Sequence, residues 1–112
     1  MIKVTGIIRP HKLEQVKTAV AALGVTGLNV ADVRGTGNAP EGEKWLAGER
    51  HIIPFPLRAK IEVVAQDDLK DAIVRAILEH ARTGEPGDGK IMVERVSEAI
   101  RIRTGERGES AV

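Results

Sequence analysis

The chain contains no cysteine and no tyrosine, and its large aromatic side chains are Trp45 and Phe55 alone. Without cysteine there can be no disulfide, no thiolate metal site and no thiol nucleophile, a composition that suits a reducing compartment. Aromatic residues at 2% of the chain argue against the stacking platforms of single-stranded nucleic-acid binders. Charge of one sign is also missing: 17 Lys and Arg stand against 16 Asp and Glu, a net charge of +1. A general phosphate-backbone stripe is therefore not expected, and any anion site must be local. No apolar run approaches the roughly 20 residues that span a bilayer, and the N-terminus lacks a charged-then-apolar leader pattern. A cytoplasmic protein with no membrane insertion and no nucleic-acid partner is expected. Serine occurs only at Ser97 and Ser110, neither in a nucleophile-elbow sequence. His11, His51 and His80 are scattered without metal-ligand spacing. Nothing resembles a catalytic centre, so no enzyme and no metal site are expected.

What is present is enough for one core. The 112 residues are the size of a single domain, 1–112, with 42% apolar and 29% charged residues. The core must come from Ile, Val, Leu and Ala. Met1 to Ile8 is short, alternating and rich in β-branched residues, and it stops at Arg9-Pro10, which predicts a first strand. From His11 to Leu23, the residues Leu13, Val16, Ala19, Val20 and Leu23 recur at helical spacing before Gly24. Leu28 to Arg34 reads as a second strand. Gly35, Gly37, Pro40, Gly42 and Gly48 then break periodicity, so a loop of about 37–55 is expected, longer than the ~12–15 residues usual for structureless connections. Its Trp45, Leu46, Ile52, Ile53 and Phe55 give it an apolar content that suits either docking to a partner or packing on its own oligomer.

Arg58 to Gln66 predicts a third strand, and Asp67-Asp68 should open a helix by capping its free N–H groups. The buried stripe of that helix is expected to be Leu69, Ile73, Ala76 and Ile77, extending to His80. A glycine-rich loop at 83–90 leads to a strand from Lys90 to Val96, a turn at Ser97 to Ala99, and a last short strand from Ile100 to Arg103. The tail 104–112 is polar and expected to be mobile. The order βαββαβ is the ferredoxin-like arrangement, an α+β fold with two helices on one face of an antiparallel sheet. On the other face Ile7, Val33 and Val64, among other apolar residues, should form a patch that an oligomer would cover.

Two segments carry chemistry. Gly87-Asp88-Gly89-Lys90 is a tight glycine turn ending in a cation, which lets backbone N–H groups approach an anion while the ammonium neutralises it. It is not the NTPase phosphate loop, whose GxxxxGK[ST] spacing is absent. Alone, such a turn is more often an ordinary hairpin connection. Arg101 and Arg103 alternate with Ile100 and Ile102, so on a strand the guanidiniums would share one face as a fork for phosphate oxygens while the isoleucines faced the core. An arginine pair on an edge strand is more often a solvated face, and the conjunction with the glycine turn is what favours an anion site.

Across almost the whole chain these residues resemble the PII signal-transduction proteins. Ile7-Ile8-Arg9-Pro10 with Lys12-Leu13, Val33-Arg34-Gly35-Thr36-Gly37, Thr83 to Ile91, and Ile100 to Glu106 carry the resemblance. The last two stretches are the most specific. The resemblance implies a homotrimeric, non-enzymatic regulator that binds ATP, ADP or AMP in clefts between subunits and controls a transporter or metabolic enzyme through a long T-loop. It implies that Gly35, Thr36, Gly37 and Asn38 approach the nucleotide at the base of that loop, and that Ile7, Asn29 and Val64 lie beside the adenine. Gly87, Asp88, Gly89 and Lys90 match the B-loop, and Arg101 and Arg103 match arginines reaching the phosphates from the neighbouring subunit.

The departures lie in the T-loop and near it. His51 stands where many members carry a uridylylated tyrosine, which argues against that modification. Ala39 replaces the glutamine that helps hold Mg-ATP and 2-oxoglutarate, Asn38 an arginine, Arg58 a lysine and Asn29 a threonine. These changes weaken the case for 2-oxoglutarate and leave Mg²⁺ and bicarbonate open as second effectors. The pattern is similar to atypical PII-like proteins linked to bicarbonate transport, carboxysomes or metal efflux. The alternatives from other classes are a slow nucleotide-hydrolysing enzyme and a trimeric module akin to CutA.

Overall fold

The structure is a computed structural model that describes residues 1–35, 43–46, 49–52 and 56–112, the two short middle pieces as backbone strands. Strand β1 runs Ile2–Ile8, and its alternation puts Ile2, Val4 and Ile8 in the core while Lys3 and Ile7 face the other way. Arg9 is extended, and Pro10 then fits a 3₁₀ turn, Pro10–Lys12, that feeds helix α1, Leu13–Ala21. The α-helix thus begins two residues later than its periodicity suggests. Val16 and Val20 are fully buried, with Leu13, Ala19 and Leu23 packed against the core. Gly24, at φ +81°, ends the segment in the left-handed region that glycine enters at no steric cost.

Strand β2 is Asn29–Arg34. The expected loop 37–55 contains an antiparallel hairpin, β3 at Glu43–Leu46 and β4 at Glu49–Ile52, with Trp45 opposite Arg50. Glycine-based punctuation concealed it, because two strands of this length show too few residues for a period. Strand β5, Leu57–Ala65, buries Ala59, Ile61, Val63 and Ala65 and turns Arg58, Lys60, Glu62 and Val64 to the opposite face. Helix α2, Lys70–Ala81, buries Ile73, Ala76, Ile77 and Ala81. Leu69 packs against the core, and half-buried His80 uses Nδ1 on the Ala76 carbonyl oxygen at 2.8 Å. Strand β6 is Lys90–Arg95.

The main sheet has the order β2-β5-β1-β6 with every neighbour antiparallel. Both helices lie over the face formed by Ile2, Val4, Gly6 and Ile8, which completes the ferredoxin-like fold. A Cβ on Gly6 would stand 3.2 Å from the Ile61 side chain and 3.5 Å from that of Ile77, so its bare α-carbon lets α2 sit down on the sheet.

Four expectations need correction. Asp67 does not cap α2: no side-chain cap is made at Gln66 or Leu69, and Asp67 instead takes the N-terminal ammonium at 3.0 Å and Arg95 at 2.5 Å. The Arg95 hydrogen bond, followed by that from the N-terminus, holds its carboxyl below the usual carboxylate range. Residues 100–103 form no strand. Ile100 makes one bridge to Arg107, and the chain turns on Arg101 N–H to Glu106 and Gly105 N–H to Arg101. A strand needs a neighbour, and in a single chain this segment has none but its own continuation. Ile100 is therefore half exposed and Ile102 wholly exposed instead of buried. The tail is folded back, with a 3₁₀ turn at Gly108–Ala111 and the Ala111 and Val112 side chains partly covered. Last, the sheet face opposite the helices is mixed: Ile7, Val33 and Val64 are there, but so are Lys60 and Glu62, paired at 3.3 Å, and Lys3 and Glu94 at 3.7 Å.

Candidate functional site

The glycine turn is built by its own carboxylate. Asp88 Oδ2 accepts the N–H groups of Thr83 and Gly84, each at 2.9 Å. Its Oδ1 accepts the Thr83 hydroxyl and, at 3.1 Å, Arg9 Nε. The Thr83 hydroxyl and N–H, with Gly84 N–H and Arg9, hold the Asp88 carboxyl far below the usual carboxylate range. Asp88 is thus an internal tie whose oxygens face the loop.

Three glycines make this conformation accessible. Gly84, Gly87 and Gly89 have φ of +90°, +98° and +95°. At Gly89 a Cβ would fall 1.7 Å from the Ile7 carbonyl oxygen, so the turn is pressed onto the end of β1 where only glycine fits. Among the described residues, the N–H groups of Gly87 and Gly89 reach no protein acceptor, and the Lys90 ammonium has no partner. Free N–H groups in a positive-φ turn beside a cation form a nest for an anion. Behind the turn lies a cavity of about 400 Å³ floored by Ile8, Val74, Ile77 and Ile91 and rimmed by Arg82, Asp88, Gly89 and Lys90.

A second cavity, of about 720 Å³, gathers a different part of the predicted set: Asn29, Val64 and Arg101. Glu62 belongs with them. It is opposite Asn29 in the β2–β5 ladder, two residues from Val64 on the same face, and lines the same cavity. Alternation along β5 was the signal that could have found it. Arg103 lies in the turn after Arg101 and does not line the cavity, so the two guanidiniums do not form the common face that strand geometry would give. Ala111 and Val112 complete the lining.

Register separates the two groups. Ile7 is opposite Lys60 and Lys90, beside the start of β6, and Gly35, whose N–H bonds to Pro56 O at 3.2 Å, stands four residues before Lys60 along β5, where the long loop leaves. Val64 is opposite Lys3, four residues further along β5, about 13 Å away at the rise of a strand. Ile7 and Val64 of one chain cannot flank one adenine ring. Ile7, Gly35 and 87–90 lie on the Leu57 side of the middle of β5, whereas Glu62, with Asn29 opposite it, and Val64 lie on the Ala65 side, where Arg101 lines the same cavity. Thr36, Gly37 and Asn38 lie outside the described residues, as do Ala39 and the side chains of Trp45 and His51. Among the described residues no cluster of His, Cys, Asp and Glu could hold a metal ion, and no helix is long and apolar enough to cross a membrane.

Comparison with known proteins places the chain in a family. The sequence model of the family described as Nitrogen regulatory protein P-II matches residues 1–106. The nitrogen regulatory protein P-II of Cereibacter sphaeroides is 46% identical over 112 residues, the whole of both chains. Nitrogen regulatory protein P-II 1 of Escherichia coli K12 is 41% identical over the same full length. The crystal structure of Arabidopsis thaliana PII bound to citrate superposes with a TM-score of 0.80 at 41% identity, covering 99% of this chain and 91% of that one. With the family model, the fold and full-length relatives in agreement, the chain belongs to the P-II family of nitrogen regulatory signal-transduction proteins.

Proposed function

We propose that this chain is a homotrimeric regulator that binds ATP, ADP or AMP between subunits and passes the occupancy to a target transporter or enzyme through the segment 37–55. The observation that carries this is the division of the site between two separate groups, the nest pressed on Ile7 and the cavity lined by Asn29, Glu62, Val64 and Arg101. The nest at 87–90 with Lys90 supplies phosphate donors. Asn29 and Glu62 supply a donor and acceptors for a base edge, with Val64 as apolar contact and Arg101 as a second cation. Each group is incomplete, and a head-to-tail neighbour brings the two together. Such heterologous contacts close into rings when the rotation permits. The exposed Ile100 and Ile102 are apolar surface for that contact. Asp88 serves through its backbone, and Arg103 becomes a phosphate ligand when the tail meets the neighbour.

Phosphate binding here requires no turnover: the Asp88 carboxylate inside the turn is tied into the loop by Thr83, Gly84 and Arg9. The plant relative is bound to citrate, a small polyanion, in keeping with an anion site on this fold. Calorimetric titration with ATP, ADP and AMP, with and without Mg²⁺, tests the assignment, and submillimolar binding of at least one nucleotide is expected. Adding 2-oxoglutarate or bicarbonate should separate the second effectors, with little response to 2-oxoglutarate because Asn38, Ala39 and Arg58 replace the family's residues. Failure of all three nucleotides to bind would overturn the proposal.

A further inference from the structure

We infer that Arg9 is a positioning residue for the anion nest, acting through Asp88 and Pro86 without touching the ligand; the inference rests on the nucleotide proposal above. Arg9 sits between β1 and α1, 77 and 79 residues from its two partners, and bonds both of them. Its Nε donates to Asp88 Oδ1 at 3.1 Å and its Nη2 donates to the Pro86 carbonyl oxygen at 2.7 Å. Arg9 and Asp88 side chains are only 22% and 24% exposed, so the pair is largely shielded from solvent screening.

The two bonds flank Gly87. One fixes the carbonyl before it, the other the carboxylate after it, and Gly89 is already pressed on Ile7 at the end of the same strand that delivers Arg9. Three positive-φ glycines give a turn with little intrinsic stiffness. A nest binds anions only when its N–H groups are held convergent before the ligand arrives. The planar guanidinium is suited to this work because it donates in two fixed directions, whereas a lysine ammonium on its flexible stem has no such fixed fork. With its Nε and Nη2 directed at the loop, Arg9 has its charge engaged away from the offered backbone face.

The test combines nucleotide titration with amide hydrogen exchange on the nucleotide-free protein. For Arg9→Ala, about a tenfold loss of ATP or ADP affinity is expected, the scale of a charge-assisted hydrogen bond. Thr83 and Gly84 amides should exchange faster, and the salt dependence of binding should keep its wild-type slope. Lys90→Ala, which removes a ligand contact, should lower both affinity and slope. Arg9→Lys should recover part of the loss, and the effects of Arg9→Ala and Asp88→Asn should be strongly non-additive. Unchanged affinity with a lowered unfolding midpoint would make Arg9 purely structural. A reduced salt slope with additive losses would make it a direct phosphate ligand. Either result overturns the inference. If the wild-type chain binds no nucleotide, the functional proposal falls, and unchanged Thr83 and Gly84 exchange in Arg9→Ala would separately overturn the ordering role.

Discussion

Gly89 and Gly84 have nearly the same φ, +95° and +90°, but different surroundings. A Cβ at Gly89 meets the Ile7 carbonyl oxygen at 1.7 Å, whereas at Gly84 it meets nothing within 4 Å. Gly84→Ala should therefore cost only the left-handed strain, about 1 kcal/mol. Gly89→Ala adds a backbone clash and should cost about 3 kcal/mol or more, read by urea unfolding of the two variants side by side. Asp88 makes a second prediction. Its folded pKa lies below the unfolded value of 3.8, so its stabilisation is complete above the ordinary carboxylate range and drains away only as pH falls toward the folded pKa. Thr83 and Gly84 amide shifts should show no inflection at about pH 4, where a free aspartate titrates. An inflection there would mean the tie is not made. The glycine turn and Lys90 were legible in sequence because their residue types are special. The inward use of Asp88 was not, because one of its partners is Arg9, 79 residues away.

At the level of elements, the helices were readable because each presents a stripe that the core absorbs. Ile77 is 2% exposed and the adjacent Leu78 is 42% exposed. Ile77→Ala should cost about 2–5 kcal/mol in denaturant unfolding, against less than about 1 kcal/mol for Leu78→Ala. Alternation misled at residues 100–103, where Ile-Arg-Ile-Arg has the strand period but no adjacent strand to supply a ladder. The Thr104-Gly105-Glu106 turn folds the segment on itself, with Gly105 at φ +74°. Because Ile102 contacts so little of its own chain, Ile102→Ser should leave the unfolding of a dissociated subunit unchanged and weaken the trimer, a difference that sedimentation over a concentration series can read. Asp67 shows the converse error. A carboxylate at a helix start resembles a cap, and only the three-dimensional arrangement brings Arg95 and the N-terminus to it.

For the whole molecule the question is whether the two groups make one site across neighbouring copies. Ile7 and the nest form one group, and Asn29, Glu62, Val64 and Arg101 line a separate cavity. The resemblance already set Arg101 apart as the neighbour's, but it did not divide Asn29 and Val64 from Ile7, because that division follows from strand register. The most direct measurement is complementation between Lys90→Ala and Arg101→Ala chains. Each variant alone should bind ATP or ADP far more weakly than wild type, because every site in its trimer carries the defect. When the two are unfolded together and reassembled, about one interface in four should join an intact nest to an intact Arg101 end in a head-to-tail ring. Calorimetry of that mixture should recover about a quarter of the sites at wild-type affinity. A mixture that binds no better than its separate components, in trimers shown to contain both chains, would contradict a site shared between subunits.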